Sequence, residues 1–362
     1  MSKKVLVAMS GGVDSSVAAA LLKEQGYSVT GVTLKLHDEG NDAISCNINK
    51  TCCSLEDIED ARSVCHKLDI PHFVYNFKSK FSELVIDRFI NEYLSGNTPN
   101  PCIDCNRFIK FDALLKRAEV LGFDYIATGH YAQIEYDSIT RRYLLKKGVD
   151  ESKDQSYVLY SLTQEQLSRL LLPVGNLPKS KVREIADNLG LRNARKPDSQ
   201  EICFVTNNDY ASFIREKTGI KDTEGNFLDI NGNPIGKHKG IISYTIGQRK
   251  GLGKGFGKRV YVLNKDINTN SITLGEDKEL YKTKLLATDL NFISIDKLEG
   301  EIAVKAKTRY HAAETDAVIS KNGDSVLVRF NTPVRAPTPG QAIVFYDGDK
   351  VVGGGTIYKI LG

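Results

Sequence analysis

The sequence predicts an α/β domain on a parallel sheet, then a small central domain and a C-terminal β-barrel. Three observations carry this. Over residues 1 to about 130, apolar strand-like runs alternate with helix-like ones, the pattern of a parallel sheet covered by helices. After about residue 206 helical periodicity gives way to glycine clusters and turns. From about 283 to the end short alternating strands dominate, as in a small all-β barrel. The expected boundaries are 1–205, 206–282 and 283–362, and 362 residues suit two or three domains.

Taken in order, "KVLVAM" (4–9), "SVTGVTLKL" (28–36), "PHFVYNF" (71–77) and "FDYIATGH" (123–130) are expected to be buried strands. "DSSVAAALLKEQG" (14–26) predicts a helix with a glycine stop. "SLEDIEDARSVCHKLDI" places Leu55, Ile58, Ala61, Cys65 and Leu68 at helical spacing, with Ser54 and Asp57 as a capping box. "NRFIKFDALLKRAEVLG" does the same with Phe108, Phe111, Leu115 and Ala118, and ends at Gly122. Residues 156–191 are expected to be mostly helical ("QEQLSRLLL", "KSKVREIADNLGL"), followed by a polar irregular loop, "RKPDSQEICFV", that carries Cys203. "EGNFLDINGNPIG" suggests strands and turns, and "DLNFISI", "GEIAVKAKTRYHA", "DSVLVRF" and "QAIVFYDGDKVVGGGTIYKI" suggest barrel strands. In parallel sheets ligands bind beyond the carboxyl ends of the strands. The "SGG" after the first strand, the 34–53 loop after the second and "TGH" after the fourth should therefore share one crevice.

Hydrophobic residues make up 41% and charged residues 26%, ordinary for a globular protein. A net charge of +4 permits a nucleic-acid partner without arguing for one, so any basic footprint must be local. No apolar run approaches the ~20 residues of a membrane span, and the N-terminal apolar stretch is too short for a signal peptide. Seven cysteines (46, 52, 53, 65, 102, 105, 203) are an odd number, which argues against a secreted disulfide framework and for a reducing, cytoplasmic location.

Two stretches carry chemistry. Cys102 and Cys105 form a Cys-x-x-Cys that suits half a zinc site, a redox pair, two iron–sulfur ligands, or a catalytic thiol with a neighbour. "SGGVDSS" (10–16) follows a strand and opens a helix. Gly11 and Gly12 allow backbone N–H groups to approach phosphate oxygens, and the helix N-terminus favours an anion. Ser10, Ser15 and Ser16 can donate to phosphate, and Asp14 could hold a Mg2+ on a polyphosphate. The Gly-Lys-Ser/Thr of the common P-loop is missing, and so is a dinucleotide Gly-x-Gly-x-x-Gly.

"SGGVDS" resembles the PP-loop signature of the ATP pyrophosphatases, whose adenine nucleotide alpha hydrolase-like members cleave ATP between the α and β phosphates and adenylate a carbonyl oxygen. With "TPNPCIDCN", "DYIATGHYA", "KDQSYVLY", "DSQEICFV", "GQRKGLG" and "TPGQAIVFY" in that order, the chain resembles the tRNA-specific 2-thiouridylases from end to end. The resemblance implies ATP-dependent 2-thiolation of the wobble uridine of tRNA. It implies a sulfur-donor protein as partner, such as a cysteine desulfurase or sulfur relay protein, and no membrane. It places Ala8, Met9, Ser10, Gly11, Gly12, Val13, Asp14, Ser15, Leu34 and Gly129 at ATP. It places His130, Lys153, Asp154, Gln155, Arg309, Tyr310 and Gln341 at tRNA. Cys203 matches the persulfide carrier and Cys105 its partner nucleophile.

The chemistry needs O2 of uracil to become a leaving group, which adenylation achieves. It needs sulfur as a nucleophile, which a persulfide and a second thiol supply. Family members often have an aspartate where this chain has Cys102. That removes a carboxylate, for which Asp104 could substitute, and adds a thiol. Three readings stay open: a disulfide/persulfide mechanism, an iron–sulfur cluster on Cys102, Cys105 and Cys203, or else a zinc site completed by Cys52 or Cys53 or inert thiols. Cys46, Cys52 and Cys53 otherwise have no assigned role, and Cys65 falls on a helix's apolar stripe. Rival functions are a PP-loop ligase acting on a small metabolite and a zinc-stabilised RNA-binding module.

No Asp or Glu lies between Asp229 and Asp266, a window holding Lys237, Lys239, Arg249, Lys250, Lys254, Lys258, Arg259 and Lys265 among several glycines. A flexible basic loop of this kind suits phosphate contacts. In "VKAKTRYH", Lys305, Lys307, Arg309 and His311 recur at period two, which on a strand is one face. A like-charged face of that kind favours RNA contact.

Overall fold

The computed structural model describes residues 2–37, 54–198, 202–205, 209–253 and 255–361. Cys46, Cys52, Cys53, Lys254 and most of the 34–53 loop lie outside the described residues. The chain divides into two compact units. The first comprises residues 1–86, 101–208 and 349–351, and the second 87–100, 209–348 and 352–362. No helix among the described residues is long and apolar enough to cross a membrane.

The first unit is built on a parallel sheet. Strands β1 (Lys4–Ala8), β2 (Ser28–Lys35), β3 (His72–Asn76) and β4 (Tyr125–Ala127) are those the sequence predicts. The sheet order is β3-β2-β1-β4-β7, where β7 is Leu170–Leu171. Central β1 is shielded on both faces, so Val5, Leu6 and Val7 are all fully buried. Helix α1 (Val13–Glu24) lays Val17, Ala18, Ala19 and Leu22 on the sheet, and its alanine run lets the helix pack closely. Helix α2 (Leu55–Lys67) starts at the expected capping box: Ser54 Oγ accepts from Asp57 N–H, and Asp57 Oδ2 accepts from Ser54 N–H.

Three expectations are corrected here, and one stretch gains a conformation. Strand β3 is an edge strand rather than a buried one, with Phe73 and Val74 exposed, because an apolar run alone does not separate centre from edge. Leu55 is exposed, so the apolar stripe of α2 begins at Ile58. In "QEQLSRLLL" the helix stops at Ser168, and Leu170 and Leu171 pair in parallel with Ile126 and Ala127. There the unpaired sheet edge outweighs leucine's helix propensity. The Cys-x-x-Cys is itself helical: Pro101–Asp104 forms a turn that runs into widened π turns over Cys105–Ala113 and then a helix over Leu114–Val120. Gly122, at φ +73°, follows that helix as expected.

A hairpin of β5 (Ala132–Asp137) and β6 (Arg142–Lys147) also belongs to this unit and has no counterpart in the sequence reading. Its Lys146 pairs with Lys350 in the ladder.

The second unit holds a helix over Asp87–Leu94 and one over Tyr210–Thr218, the latter capped by Asp209 and also not anticipated. A four-stranded sheet follows, formed by β8 (Gly225–Leu228), β9 (Pro234–His238), β10 (Tyr261–Asp266) and β11 (Ser271–Gly275) in the order β10-β11-β8-β9. Its core gathers Phe227, Tyr244, Val262, Ile272 and Leu274. Strands β12 (Tyr281–Phe292), β13 (Glu301–Lys307), β14 (Thr315–Asn322), β15 (Ser325–Arg335), β16 (Ala342–Asp347) and β17 (Lys350–Ile360) form the barrel. They run in the order β12-β15-β14-β13-β16-β17, and β17 pairs with β12 to close it. Closure removes the sheet edges.

Three histidines are held below their ordinary pKa: His72 and His130 by burial and then by Arg62 and Lys110 respectively, and His238 mainly by burial. Below the ordinary histidine value of about 6.5 the unfolded chain binds more protons than the folded one. Stability should therefore be complete above pH 6.5 and fall as the pH drops through 6.5 toward 5. The steepest slope per buried histidine is about 1.4 kcal/mol per pH unit. Urea midpoints recorded from pH 8 to 5 measure it, and His130→Gln should flatten the profile.

Candidate active site

The glycine loop stands at the carboxyl end of β1 and is fixed from behind. Gly11 has φ +72°, and a Cβ there would lie 2.5 Å from Asp57 O. Ser10 N–H donates to Ser15 Oγ at 3.2 Å, and Ser16 Oγ donates to Gly12 O at 2.9 Å. Buried Asn193 donates through Nδ2 to Gly11 O and Ser16 Oγ, both at 2.9 Å. Lys196 Nζ bridges Asp57 Oδ1 at 2.6 Å and Asp60 Oδ2 at 2.7 Å. Burial opposes its charge, but its hydrogen bonds to the two carboxylates outweigh that and raise the Lys196 pKa.

In front of the loop, Asp14 lies in the first turn of α1. Lys179 Nζ meets its two oxygens at 2.7 and 2.8 Å, and Tyr131 OH donates to Oδ1 at 2.6 Å. Burial first, and then the Asp14 charge, raises the Tyr131 pKa, so the phenol stays protonated. Lys179 also reaches Asp198 Oδ1 at 2.7 Å, while Lys153 holds Asp198 Oδ2 at 2.8 Å and Arg183 stands 3.5 Å away. Burial works against the Asp198 carboxylate, yet Lys153 and Lys179 together lower its pKa. Lys179, Lys153 and Arg183 thus face Asp14 and Asp198, and Asp150, which accepts from Lys179 N–H at 2.9 Å, is a third carboxylate beside them. Both Asp14 oxygens are engaged, so this conformation offers a metal no bare carboxylate there.

Of the other expected nucleotide residues, Gly129 lies against Asp14 and Ser15. Gly129 packs so closely that a Cβ would fall 2.5 Å from Ser15 N. Met9, Val13 and Leu34 are buried core side chains, and Ala8 is half-buried. His130 is buried, with Nδ1 2.8 Å from Thr128 Oγ1 and its ring beside Phe111. Of "KDQ", Lys153 reaches Asp198. Asp154 accepts from Gly148 N–H and Ser156 Oγ, at 3.1 and 2.8 Å. Gln155 Oε1 accepts from Tyr131 N–H at 2.9 Å.

Among the thiols, Cys105 is buried on the first widened turn, Cys102 is exposed and Cys203 is half-buried, and none is in a disulfide. Cys65 is buried, and burial pushes its thiol up to about 12, so it is a core residue. Among the described residues no group of three or more His, Cys, Asp or Glu is arranged to hold a metal ion. Cys102, Cys105 and Cys203 form no such group, so the three-cysteine iron–sulfur alternative is unsupported.

Two basic features are also corrected. Strand β13 ends at Lys307, so Arg309 and His311 do not continue its outward face. Arg309 turns inward: Nη2 donates to Ala336 O at 2.9 Å, to Ile246 O at 3.1 Å and to Thr338 Oγ1. Tyr310 lies beside His311, with Lys307 over its ring. Lys265 is not a free loop cation, because its Nζ is buried and burial lowers its pKa to about 8. Lys237, Lys239, Arg249 and Lys250 are exposed.

The sequence reading passed over Tyr131, Lys179, Asn193, Lys196 and Asp198 as functional residues. Lys179 gave one signal, since a lysine at the first position of a helix opposes the macrodipole unless an anion faces it. The others required the folded chain.

Three family models match the chain: the tRNA methyl transferase HUP domain over residues 3–207, the tRNA methyl transferase PRC-barrel domain over 211–276, and the aminomethyltransferase beta-barrel domain over 282–357. The chain is 57% identical over 356 residues to the tRNA-specific 2-thiouridylase MnmA of Acetivibrio thermocellus, covering 98% of this chain and 99% of that protein. It is 55% identical over 362 residues to the protein of the same name from Clostridioides difficile, covering 100% of this chain and 99% of that one.

Replacing Lys196 with methionine leaves Asp57 and Asp60 buried without a cation. The expected loss is about 3–5 kcal/mol of stability, read as a lower urea midpoint for Lys196→Met.

Proposed function

The chain belongs to the family of the tRNA-specific 2-thiouridylases, and on that premise we propose that it replaces O2 of the wobble uridine of tRNA by sulfur at the expense of ATP. The observation that carries this reading is the Ser10–Asp14 loop at the carboxyl end of β1, with Lys179 held against Asp14 in front of it.

ATP is the substrate of the first half-reaction. The loop N–H groups and the N-terminus of α1 face its phosphates, with Lys179, Lys153 and Arg183 as counter-charge. Uracil O2 attacks the α-phosphorus, the Pα–O bond to the β-phosphate breaks, and pyrophosphate leaves. Magnesium would ride on the nucleotide's own phosphates and withdraw charge from them. Leu34 offers an apolar side chain to adenine.

Sulfur arrives on Cys203 as a persulfide from a donor protein of the cytoplasm. Its outer sulfur bonds to C2 of the activated uracil. The Cys105 thiolate attacks the inner sulfur and the S–S bond breaks. The electron pair left on the transferred sulfur expels AMP as C2=S forms. A Cys105–Cys203 disulfide remains, to be reduced by an external thiol. The placement of Cys105 on the helical run that follows the Pro101 turn, with Cys102 one turn before it, supports this reading. Asp104 is the nearest carboxylate in sequence to the Cys102 position and takes the acid–base role.

For tRNA, exposed Lys237, Lys239, Arg249, Lys250 and Lys305, with Tyr310, supply phosphate contacts and a stacking ring. His130, Lys153, Asp154, Gln155, Arg309 and Gln341 complete the set that the family resemblance implies.

Cys105→Ser and Cys203→Ser should each abolish tRNA thiolation and leave ATP binding within about twofold of wild type. Near-normal thiolation by either variant removes that residue from the mechanism. Lys179→Met should slow tRNA-dependent pyrophosphate release by about 10²-fold or more, measured in a coupled phosphate assay.

A further inference from the structure

The phenol of Tyr131 reaches Asp14 from a main chain that is held at both its N–H and its carbonyl. The hold comes from residues 148–155, which run from β6 to a short helical turn over Ser156–Leu159. Tyr131 N–H donates to Gln155 Oε1 at 2.9 Å, and Gln155 N–H donates to Tyr131 O at 2.8 Å. Gly148 packs so closely that a Cβ there would lie 2.9 Å from Tyr131 O. Asp154 closes the segment on itself by accepting from Gly148 N–H and Ser156 N–H, each at 3.1 Å. All of these residues belong to the first unit, as do Asp14, Lys179 and Asp198.

The same segment also meets Lys179. Asp150 Oδ2 accepts from Lys179 N–H at 2.9 Å, at the start of the helix over Lys179–Asn188. Lys153 and Lys179 share Asp198. Lys179 Nζ lies 5.6 Å from the centre of the Tyr131 ring, besides its two bonds to Asp14. Tyr131 is 3% exposed, so its N–H has no ready water to replace Gln155. Leaving a buried donor unpaired is costly, and the main chain would shift to find it a partner. A rigid ring carries that shift to the hydroxyl, and so to Asp14 and Lys179. A carboxamide kept only for RNA would not need its oxygen committed inward.

We propose that Gln155 is a positioning residue for the nucleotide half-reaction. Through the Tyr131 main chain it sets the phenol that holds Asp14, and with it Lys179, at the glycine loop. This role stands besides the RNA contact that the family resemblance implies for residue 155. It rests on the ATP reading under Proposed function, but it can be measured without tRNA.

The test uses full-length Gln155→Leu and Gln155→Glu, with Mg-ATP alone as the probe. Leucine removes the acceptor for Tyr131 N–H. Glutamate keeps an acceptor oxygen there but has no donor to offer a phosphate. By calorimetry, Gln155→Leu should weaken ATP binding about tenfold, while Gln155→Glu stays within about threefold of wild type. Amide exchange at Tyr131 should accelerate about tenfold in the leucine variant and not in the glutamate one. Tyr131→Phe, which removes only the hydroxyl, should weaken ATP binding as Gln155→Leu does and leave that exchange unchanged. Unchanged ATP affinity in Gln155→Leu overturns the proposal. If tRNA binding then weakens in both variants, Gln155 is an RNA contact only; if only the urea midpoint falls, its role is structural. Should Gln155→Leu fail to fold, Gln155→Asn, one methylene short of Tyr131, decides in its place. If the wild type binds ATP but does not thiolate tRNA, the thiolation reading falls and the ATP affinities still decide Gln155. If it binds no ATP, both fall.

Discussion

A buried ammonium, Lys196, ties together the elements that shape the site. It lies between Asp57 and Asp60, and its removal would leave two carboxylates in a medium that cannot solvate them. Asp57 also caps α2 and presses its backbone against Gly11. One carboxylate thus links a helix start, a distant loop and the glycine turn. Asn193, three residues before Lys196, completes the attachment by donating to Gly11 O. The glycine loop is therefore held from behind by the chain's own groups.

The front of the site obeys the same logic. Behind the loop, one cation satisfies two carboxylates. In front, Lys179, Lys153 and Arg183 meet Asp14 and Asp198, with Asp150 accepting from the Lys179 backbone. Tyr131 holds Asp14 from a third side, and Gln155 holds the Tyr131 backbone, so "KDQ" supports this centre from within.

Local pattern made much of this legible. The strand–glycine–helix register of 4–26, the Ser54–Asp57 capping box and the Gly122 stop each depend on neighbours a few residues away, and each is found. The failures share another cause. Leu170–Leu171 carries helix-forming residues but meets the edge of β4. Arg309 has the right spacing for an outward row but finds three acceptors inward. Lys265 sits in an acid-free window, yet its ammonium is buried. In each case a partner far along the chain settled the matter.

The sequence by itself determined the α/β start, the barrel at the end and the glycine turn between β1 and α1, because periodicity, turn residues and motif spacing are local properties. Only the tertiary structure decided which charges meet. Asp14 with Lys179 spans 165 residues, Asn193 with Gly11 spans 182 and Gln341 with Thr98 spans 243. No rule of spacing relates such pairs. They are brought together by the burial of the sheet and barrel cores, and the polar groups carried along must then find partners or pay the cost of desolvation.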